Sequence, residues 1–437
     1  MSILIGIRHE DKYKMELRAP LTPAHIQRLG KAHGLKFVVQ TSDKRIFSDA
    51  EYQQVGCRIA HDLKDCQVIF GVKEIPEAFF EPQKTYIFFS HVIKGQSYNM
   101  PMLRRMMELK CNLIDYERIA DEQNKRMIFF GRFAGLAGMI NSLWSVGQRL
   151  KHLGQPDNVF LPIKQAHHYH SLEEARVAIS KVGQEIARKG LPKEIQPFTI
   201  GFTGYGNVSQ GAQEIVNLLP SQEISPRELK ELQRRDNTPG NVIYKVIFKE
   251  QHLVRPKDGS TFELQDYYDH PEKYESKFEQ YLPHLSVLMN CMYWDGRYSR
   301  IVTREYMRRE FLKSQHRLLV IGDVTCDPEG SVEITHKGTA IEDPVFVYDP
   351  ATDQPTMGFE GRGVLVMAVD ILPSELPRDA SVAFADVLEK FVKPIATADF
   401  SLPFDQLQLP APIKKALILH QGQLTPDYEY LNEYLNQ

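Results

Sequence analysis

Short apolar runs alternate with helix-like stretches through most of this chain, and that alternation narrows the fold to an α/β protein with parallel sheets. LIGI, KFVVQ, CQVIFGV, TYIFFSH and CNLIDYE read as strands a few residues long. Between them, TPAHIQRLGKAHG reads as a helix, with Thr22 as its cap, Pro23 in the first turn and Gly34 as the stop. Strands and helices within roughly residues 1–130 suffice for one doubly wound domain. A long helical stretch follows from about Gly135 to Gly154 and opens on AGLAGM, whose small residues permit close packing against another helix or a ligand. The loop GLPKEIQPF (Gly190 to Phe198) carries two prolines and reads as a domain junction. FTIGFT then opens a second strand–turn–helix unit, with further strands at NVIYKVIF, SVLMNCM, HRLLVIGDV and VFVYD. From about Gly363 the pattern ends in a helical stretch, SVAFADVLEKFVKPIA, and a polar tail.

A length of 437 residues suits two domains, and 42% hydrophobic with 25% charged residues is a globular composition. No segment approaches the ~18 uninterrupted apolar residues of a membrane helix. The start, MSILIGIRHEDKYK, reads as a first strand and not as a signal peptide. The 53 basic and 56 acidic side chains are well mixed, for a net charge of −3, so the basic face of a nucleic-acid binder is not expected. The densest charge run, Arg227 to Arg235, reads as a solvated helix face. Cys57, Cys66, Cys111, Cys291 and Cys326 are odd in number and without a CxxC pair, which favours a reducing cytoplasm over a disulfide framework or a zinc site. His167, His168 and His170 lack the i, i+4 spacing of a helical zinc site, and no metal is assigned.

Gly204-Tyr205-Gly206-Asn207-Val208-Ser209-Gln210-Gly211 follows an apolar strand and opens a helix, the context that a dinucleotide fingerprint requires. Gly204 would make the tight turn and Gly206 would let the backbone approach a pyrophosphate at the helix N-terminus. Ser209 stands at the third fingerprint position, with Gly211 two residues on. An acidic residue about twenty positions along should reach the ribose, and Glu223 fits. Arg227 nearby could instead receive a 2′-phosphate, so local chemistry leaves NAD and NADP open.

Charged residues also mark the strand ends of the first domain. Lys73 ends VIFGVKE and His91 ends YIFFSH, and in an open parallel sheet the carboxyl ends of strands face the ligand crevice. Two such cations would lower each other's proton affinity and suit acid–base work near neutral pH. Taken alone, Lys73 reads equally well as a solvated lysine, and His91 as a hydrogen-bonded structural histidine.

The segment IGIRHEDKYKMELRAPLTPAHI resembles the opening of saccharopine dehydrogenases and of the lysine–ketoglutarate reductase half of the bifunctional lysine-degrading enzyme. More distantly it resembles alanine dehydrogenase and proton-translocating transhydrogenase. The resemblance continues in order through GVKEIPE, FFSHVIKGQ, LIDYERI, FFGRFAGLAGMIN, FTGYGNVSQGAQEI, IGDVTCDPEGSVE and VDILPSELPRDAS. GYGNVSQGA and HPEKY favour the reductase half over the fungal single-function form. The resemblance implies two Rossmann-like doubly wound parallel-sheet domains with an interdomain active-site cleft. It implies a substrate domain of residues 1–134 plus 360–437, and a dinucleotide-binding domain with its connecting helix over 135–359.

It further implies Lys73 as general base and His91 as general acid. Arg18, Gln96 and Arg126 would meet substrate carboxylates and polar groups, with Lys94, Glu117 and Phe130 lining the same cleft. Gly204, Gly206, Asn207, Val208, Ser209, Glu223 and Arg227 would bind the dinucleotide, and Asn290, Cys291, Met292, Asp323, Val324 and Thr325 would touch its side of the crevice. The expected activity is reversible, NAD(P)H-dependent condensation of L-lysine with 2-oxoglutarate to saccharopine. NADP is the expected cofactor on the resemblance, with NAD as the alternative. The bifunctional relatives continue into a saccharopine-oxidising domain, so one of the two consecutive steps is expected here. The alternatives are an opine-type or amino-acid dehydrogenase acting on ornithine or another amine, and a non-catalytic NAD(P) sensor. Expected partners are small molecules, with no nucleic acid or membrane, in the cytoplasm; a homo-oligomer is compatible.

Overall fold

A computed structural model describes residues 3–232, 234, 238–311 and 316–435. Arg235, the end of the densest charge run, lies outside the described residues. The chain forms two compact units, one of residues 1–130 with 377–437 and the other of residues 131–376.

The first unit begins with β1 (Leu4–Ile7), β2 (Lys36–Gln40), β3 (Arg58–Ala60), β4 (Val68–Phe70), β5 (Thr85–Phe88) and β6 (Asn112–Asp115). The second unit carries β7 (Phe198–Thr203), β8 (Ser221–Glu223), β9 (Ile243–Phe248), the hairpin strands β10 (Val254–Pro256) and β11 (Tyr274–Ser276), and β12 (Val287–Asn290). It closes with β13 (Val320–Asp323), β14 (Val345–Asp349), β15 (Gln354–Met357) and β16 (Val364–Met367). The first unit then resumes with β17 (Leu417–His420) and β18 (Gln423–Leu424).

In the first unit, helices α1 (Pro23–His33), α2 (Asp49–Gln54) and α3 (Met100–Glu108) link the strands. Gly34 ends α1 in the left-handed region at φ 67°, its N–H returning to the Gly30 carbonyl. Thr22 occupies the cap position, but its hydroxyl meets His25 Nδ1 at 2.7 Å and not the helix backbone. Helix α2 starts on a reciprocal Ser48–Glu51 capping box. The sheet order is β3-β2-β1-β4-β5-β6, all parallel, extended by antiparallel β17 and β18. The winding direction reverses between β1 and β4. The tail expected to be polar therefore supplies two strands, because Leu417, Ile418 and Leu419 are all fully buried. The long helix Pro377–Thr397 buries Phe384, Leu388 and Ile395 in the same core as Ile26 and Leu29 of α1.

The second unit opens on α4 (Gly131–His152), α5 (Leu172–Lys189), α6 (Asn207–Val216) and α7 (Pro226–Leu232). Its sheet order is β15-β14-β16-β13-β12-β7-β9-β8, parallel apart from the pairings of β14. The boundaries differ from the expected ones. Residues 360–376 belong here because β16 pairs with β13 and β14, and the loop Gly190 to Phe198 joins α5 to β7 within this unit instead of separating domains. Among the described residues no helix is long and apolar enough to cross a membrane.

The small residues at the start of α4 serve a helix–helix contact. A Cβ on Gly135 would run into the Val208 carbonyl of α6, and one on Gly211 into the Arg132 carbonyl of α4. Gly211 thus meets a packing demand like that of the third glycine of the fingerprint. Gly135→Ala and Gly211→Ala should each cost about 1–3 kcal/mol, the range for overpacked interiors. Calorimetry should show the thermal midpoint falling by several degrees. A midpoint unchanged in both variants would refute the close approach.

Candidate active site

Strands β1, β4, β5 and β6 are parallel neighbours, so the segments leaving their carboxyl ends gather on one edge of the first sheet. The reversal between β1 and β4 is where an open α/β sheet holds a ligand. There Glu10, buried beyond β1, accepts the Val72 N–H at 2.7 Å and the Lys73 N–H at 2.8 Å. Burial pushes its carboxyl up to about 7, against the opposing Arg8 charge and the two amides. Glu10 thereby fixes the backbone on which Lys73 stands. The Lys73 ammonium lies 5.8 Å from the Tyr13 ring centre, and its charge helps to hold Glu16 below the usual carboxylate range.

Glu74, next in sequence, joins the ends of β4 and β5. Its Oε1 accepts from Lys12 Nζ at 2.5 Å and meets His91 Nδ1 at 2.8 Å. Burial disfavours the Glu74 carboxylate, but the His91 and Lys12 contacts outweigh burial and bring its pKa to about 2. His91 adopts φ 50°, unusual for a side-chain-bearing residue, and Asn99 holds its carbonyl at 3.1 Å. With Nδ1 donating to Glu74, Nε2 is the ring nitrogen left to exchange a proton. The expectation of a Lys73–His91 pair tuned by mutual repulsion overlooked these acids. Glu10, Glu16 and Glu74 were visible only as charges in HEDKYKMELR and GVKE, without a hint of their partners.

The two arginines differ sharply. Arg18 is buried, donates to both Glu16 oxygens at 2.7 and 2.5 Å, and lies 4.1 Å over the Phe130 ring. Arg126 remains 39% exposed; it meets Glu117 at 3.8 Å, donates to the Ile128 carbonyl at 2.9 Å and covers Phe89. Phe130 stacks on Phe384 at 4.8 Å, and Phe89 and Tyr116 join the same aromatic cluster. The Glu117 backbone is held by buried Asp115, which also accepts from Ser90 just before His91. Lys94 is exposed, and Gln96 buries an amide oxygen that has no hydrogen-bond partner among the described residues. Arg18, Phe130, Glu117 and Arg126 are thus linked through one aromatic cluster and the ends of β5 and β6.

In the second unit the reversal lies between β7 and β12. Gly204 turns the chain at φ 80°, and a Cβ there would crowd Met292. Gly206 precedes the helix with open space above it, and no side chain caps α6. The first-turn N–H groups of Asn207, Val208 and Ser209 are therefore oriented as an anion site. A cavity of 380 Å3 opens beside them, lined by Gly204, Tyr205, Gly206, Glu250, Cys291, Met292 and neighbouring tyrosines. These residues suit a dinucleotide phosphate and its attached rings.

Other residues expected to touch the cofactor stand behind the wall. Asn290 and Asp323 are buried and bonded to each other at 2.8 Å, with Thr203, Thr325, Ser331 and Thr335 completing the network. They tie the ends of β7, β12 and β13, and Thr203 Oγ1 receives the Cys291 N–H at 3.2 Å. Val324 packs toward Gly138 of α4. Glu223 and Arg227 do not line the cavity. Glu223 ends the outer strand β8 and pairs with Lys245 at 3.3 Å, while Arg227 is 90% exposed beside Glu231. The reason is strand order: β9, not β8, adjoins β7, so Glu223 ends a strand at the outer edge of the sheet. His167 bonds buried Glu375 at 3.2 Å, and no group of three metal-binding side chains occurs among the described residues.

Residues 6–137 match the family description "Alanine dehydrogenase/PNT, N-terminal domain". Alpha-aminoadipic semialdehyde synthase of Arabidopsis thaliana is 40% identical over 98% of this chain and 41% of its own length. The mitochondrial synthase of Rattus norvegicus is 35% identical, over 98% of this chain and 48% of its own length. The chain thus spans less than half the length of these relatives. The saccharopine dehydrogenase [NAD(+), L-lysine-forming] of Yarrowia lipolytica is 25% identical over 88% of this chain and 90% of that one. A solved L-alanine dehydrogenase shares the fold, with a TM-score of 0.63 at 17% identity over 99% of this chain and all of that one. The match with the two synthases runs over 98% of this chain, through both sheets and the strand ends described above, so the chain is similar along nearly its whole length to part of these synthases and, more distantly, to the saccharopine dehydrogenase.

Proposed function

We propose that the chain joins L-lysine and 2-oxoglutarate reductively into saccharopine, reversibly and with a nicotinamide dinucleotide. The observation that carries this reading is the Glu74–His91 pair beside Lys73, set at the strand reversal of the first sheet. The activity named for the Yarrowia lipolytica relative supports it, as do the synthases matched over 98% of the chain. In this reading the ε-amine of lysine attacks the keto carbon of 2-oxoglutarate. Lys73 Nζ takes the amine proton, and His91 Nε2 gives a proton to the departing hydroxyl, so that water leaves and an imine remains. Glu74 keeps the His91 ring in the orientation that this transfer needs. A nicotinamide, when bound, supplies the hydride that reduces the imine carbon.

Arg126, partly exposed and loosely held by Glu117, is suited to a substrate carboxylate. We assign Arg18 a different part, since its guanidinium is committed to Glu16 and holds that acid near Lys73. Five free cysteines support a reducing, cytoplasmic setting. The deciding assay pairs lysine or ornithine with 2-oxoglutarate or other 2-oxo acids and follows nicotinamide absorbance. Turnover with ornithine but not lysine would overturn the proposed substrate, and no turnover with any pair would overturn the enzyme reading.

Lys73→Met and His91→Gln should each lower turnover by roughly 10²–10⁴-fold, the usual share of acid–base groups. Dinucleotide affinity should stay within about threefold, because the fingerprint lies in the other unit. Retention of half the turnover in both variants would remove them from the acid–base role.

Arg126→Ala should reduce kcat/KM for 2-oxoglutarate by roughly 30- to 1000-fold at nearly unchanged stability. Arg18→Ala should unfold more easily by about 3–5 kcal/mol, because it strands the Glu16 charge in the interior. A stable Arg18→Ala protein with only a raised KM would restore Arg18 to direct substrate contact.

Glu74→Gln should be less stable than the parent at pH 7 by on the order of 3 kcal/mol. A depressed carboxyl stabilises the fold fully above its unfolded value of 4.5 and loses that contribution as pH falls towards about 2. The difference between variant and parent should therefore shrink across that window in denaturant titrations. A gap constant from pH 7 to pH 3 would refute the ion-pair origin.

A further inference from the structure

Beyond β18 the chain runs back against the loop that leaves β5. A tight helical turn over Pro426–Leu431 and the short helix Asn432–Leu435 follow, and Tyr428 and Leu431 are buried in the same core cluster as Val92, Met100 and Leu103. Four contacts then reach the loop and its flanks, all within the first unit. The Tyr430 hydroxyl donates to the Ile93 carbonyl at 2.6 Å. The Tyr434 ring lies against Gly95, where a Cβ would run into it. Arg104 of α3 donates to the Leu435 carbonyl at 3.0 and 2.7 Å, and Arg118, next to Glu117, donates to the Tyr428 hydroxyl at 3.1 Å. One stretch of ten residues thus braces the loop that carries His91, Lys94 and Gln96.

We propose that Tyr430 is a positioning residue for the reaction, holding the loop His91–Gln96 so that His91 Nε2 meets the group it protonates. The inference rests on the reading of His91 as the proton donor. Glu74 fixes the His91 ring through Nδ1, but a single contact at the ring does not fix where the residue leaves the backbone. Three consecutive residues supply that. The His91 carbonyl accepts from Asn99 at 3.1 Å, the Val92 side chain is fully buried, and the Ile93 carbonyl is taken by Tyr430, 337 positions further along the chain. Proton transfer is sensitive to such placement, since a shift of ~1 Å can cost about 100-fold in rate. The hydroxyl matters little to the fold itself. Tyr430 is 42% exposed, so water can replace its bond to Ile93 once the hydroxyl is gone. Water would satisfy the carbonyl without holding it in place.

The test is kinetic and uses the whole chain. Single turnovers with lysine, 2-oxoglutarate and the reduced dinucleotide, all saturating, read the chemical step. Tyr430→Phe keeps the ring and removes only the hydroxyl. It should slow that step by at least about fivefold, with dinucleotide affinity within about twofold and the thermal midpoint within about 3 °C of the parent. The same change in a His91→Gln background should slow the reaction by no more than about twofold further, because residues that act through one another are not additive. Glu433→Ala, exposed on the same short helix, should leave the rate within about twofold. A Tyr430→Phe protein at the parental rate would overturn the proposal. So would an equal loss in the His91→Gln background, which moves the effect away from His91, or an equal loss in Glu433→Ala, which makes it a general loosening of the segment. No turnover by the parent with any substrate pair would overturn the acid–base reading of His91 and this inference with it.

Discussion

The buried carboxylate of Glu10 is the contact on which the first site depends. By accepting the N–H groups of Val72 and Lys73 it joins the segment after β1 to the segment after β4, across the point where the sheet reverses direction. Strand pairing ends at Ile7 and Phe70, where the Arg8 N–H still donates to the Phe70 carbonyl at 2.9 Å, and Glu10 carries the connection further along both loops. A carboxylate offers two oxygens with a fixed spacing, and here each takes one backbone donor. The result sets where Lys73 and Glu74 leave the backbone, and through Glu74 it sets His91. Burial makes this arrangement costly for a charge, which is why the Glu10 carboxyl rises to about 7 even with two amides bound.

Charge pairing around that contact is dense and sequence-local on one side only. Glu16 and Arg18 are two residues apart and both buried, whereas Lys12 and His91 reach Glu74 from distant parts of the first unit. A buried pair of this kind adds little net stability but makes the loss of either partner expensive. The Glu16–Arg18 pair therefore acts as a fixed local field beside Lys73. Arg126 lies at the other extreme, its cation resting on Phe89 and donating to the Ile128 carbonyl, with its acidic neighbour Glu117 only at 3.8 Å. Only a cation so lightly held can be recruited by an incoming carboxylate without first breaking a strong pair.

Local chemistry made much of this legible in the sequence. The buried parallel strands read as continuous apolar runs, and the fingerprint glycines stood between a strand and a helix as they do in the fold. Lys73 and His91 were reachable because strand ends share one edge in a parallel sheet. Strand order was not legible. β8 is a three-residue edge strand of wholly polar sequence, and nothing in its composition says that β9 will lie between it and β7. That single inversion leaves Glu223 on the outer strand of the sheet, paired with Lys245. The tail was misread for a related reason: Leu417 to His420 is too short to stand out until β6 provides a partner. Pairings such as Glu74 with His91 join residues far apart in sequence, and charge alone does not encode them.

The two units solve the same topological problem with opposite chemistry. Each has a sheet that reverses beside its first strand, and each uses the gap so created. In the first unit the gap is filled by acidic and basic side chains that hold one another. In the second it is lined by glycine, methionine and tyrosine, with backbone N–H groups at the α6 terminus and a single carboxylate. Backbone donors suit a phosphate because they are rigid and close, and they require that Gly204 and Gly206 carry no side chain in the way. The close α4–α6 contact at Gly135 and Gly211 then fixes that helix terminus against its own unit. A looser contact would leave the donors correct in kind but wrong in position, and preorganised dipoles act only where they are held.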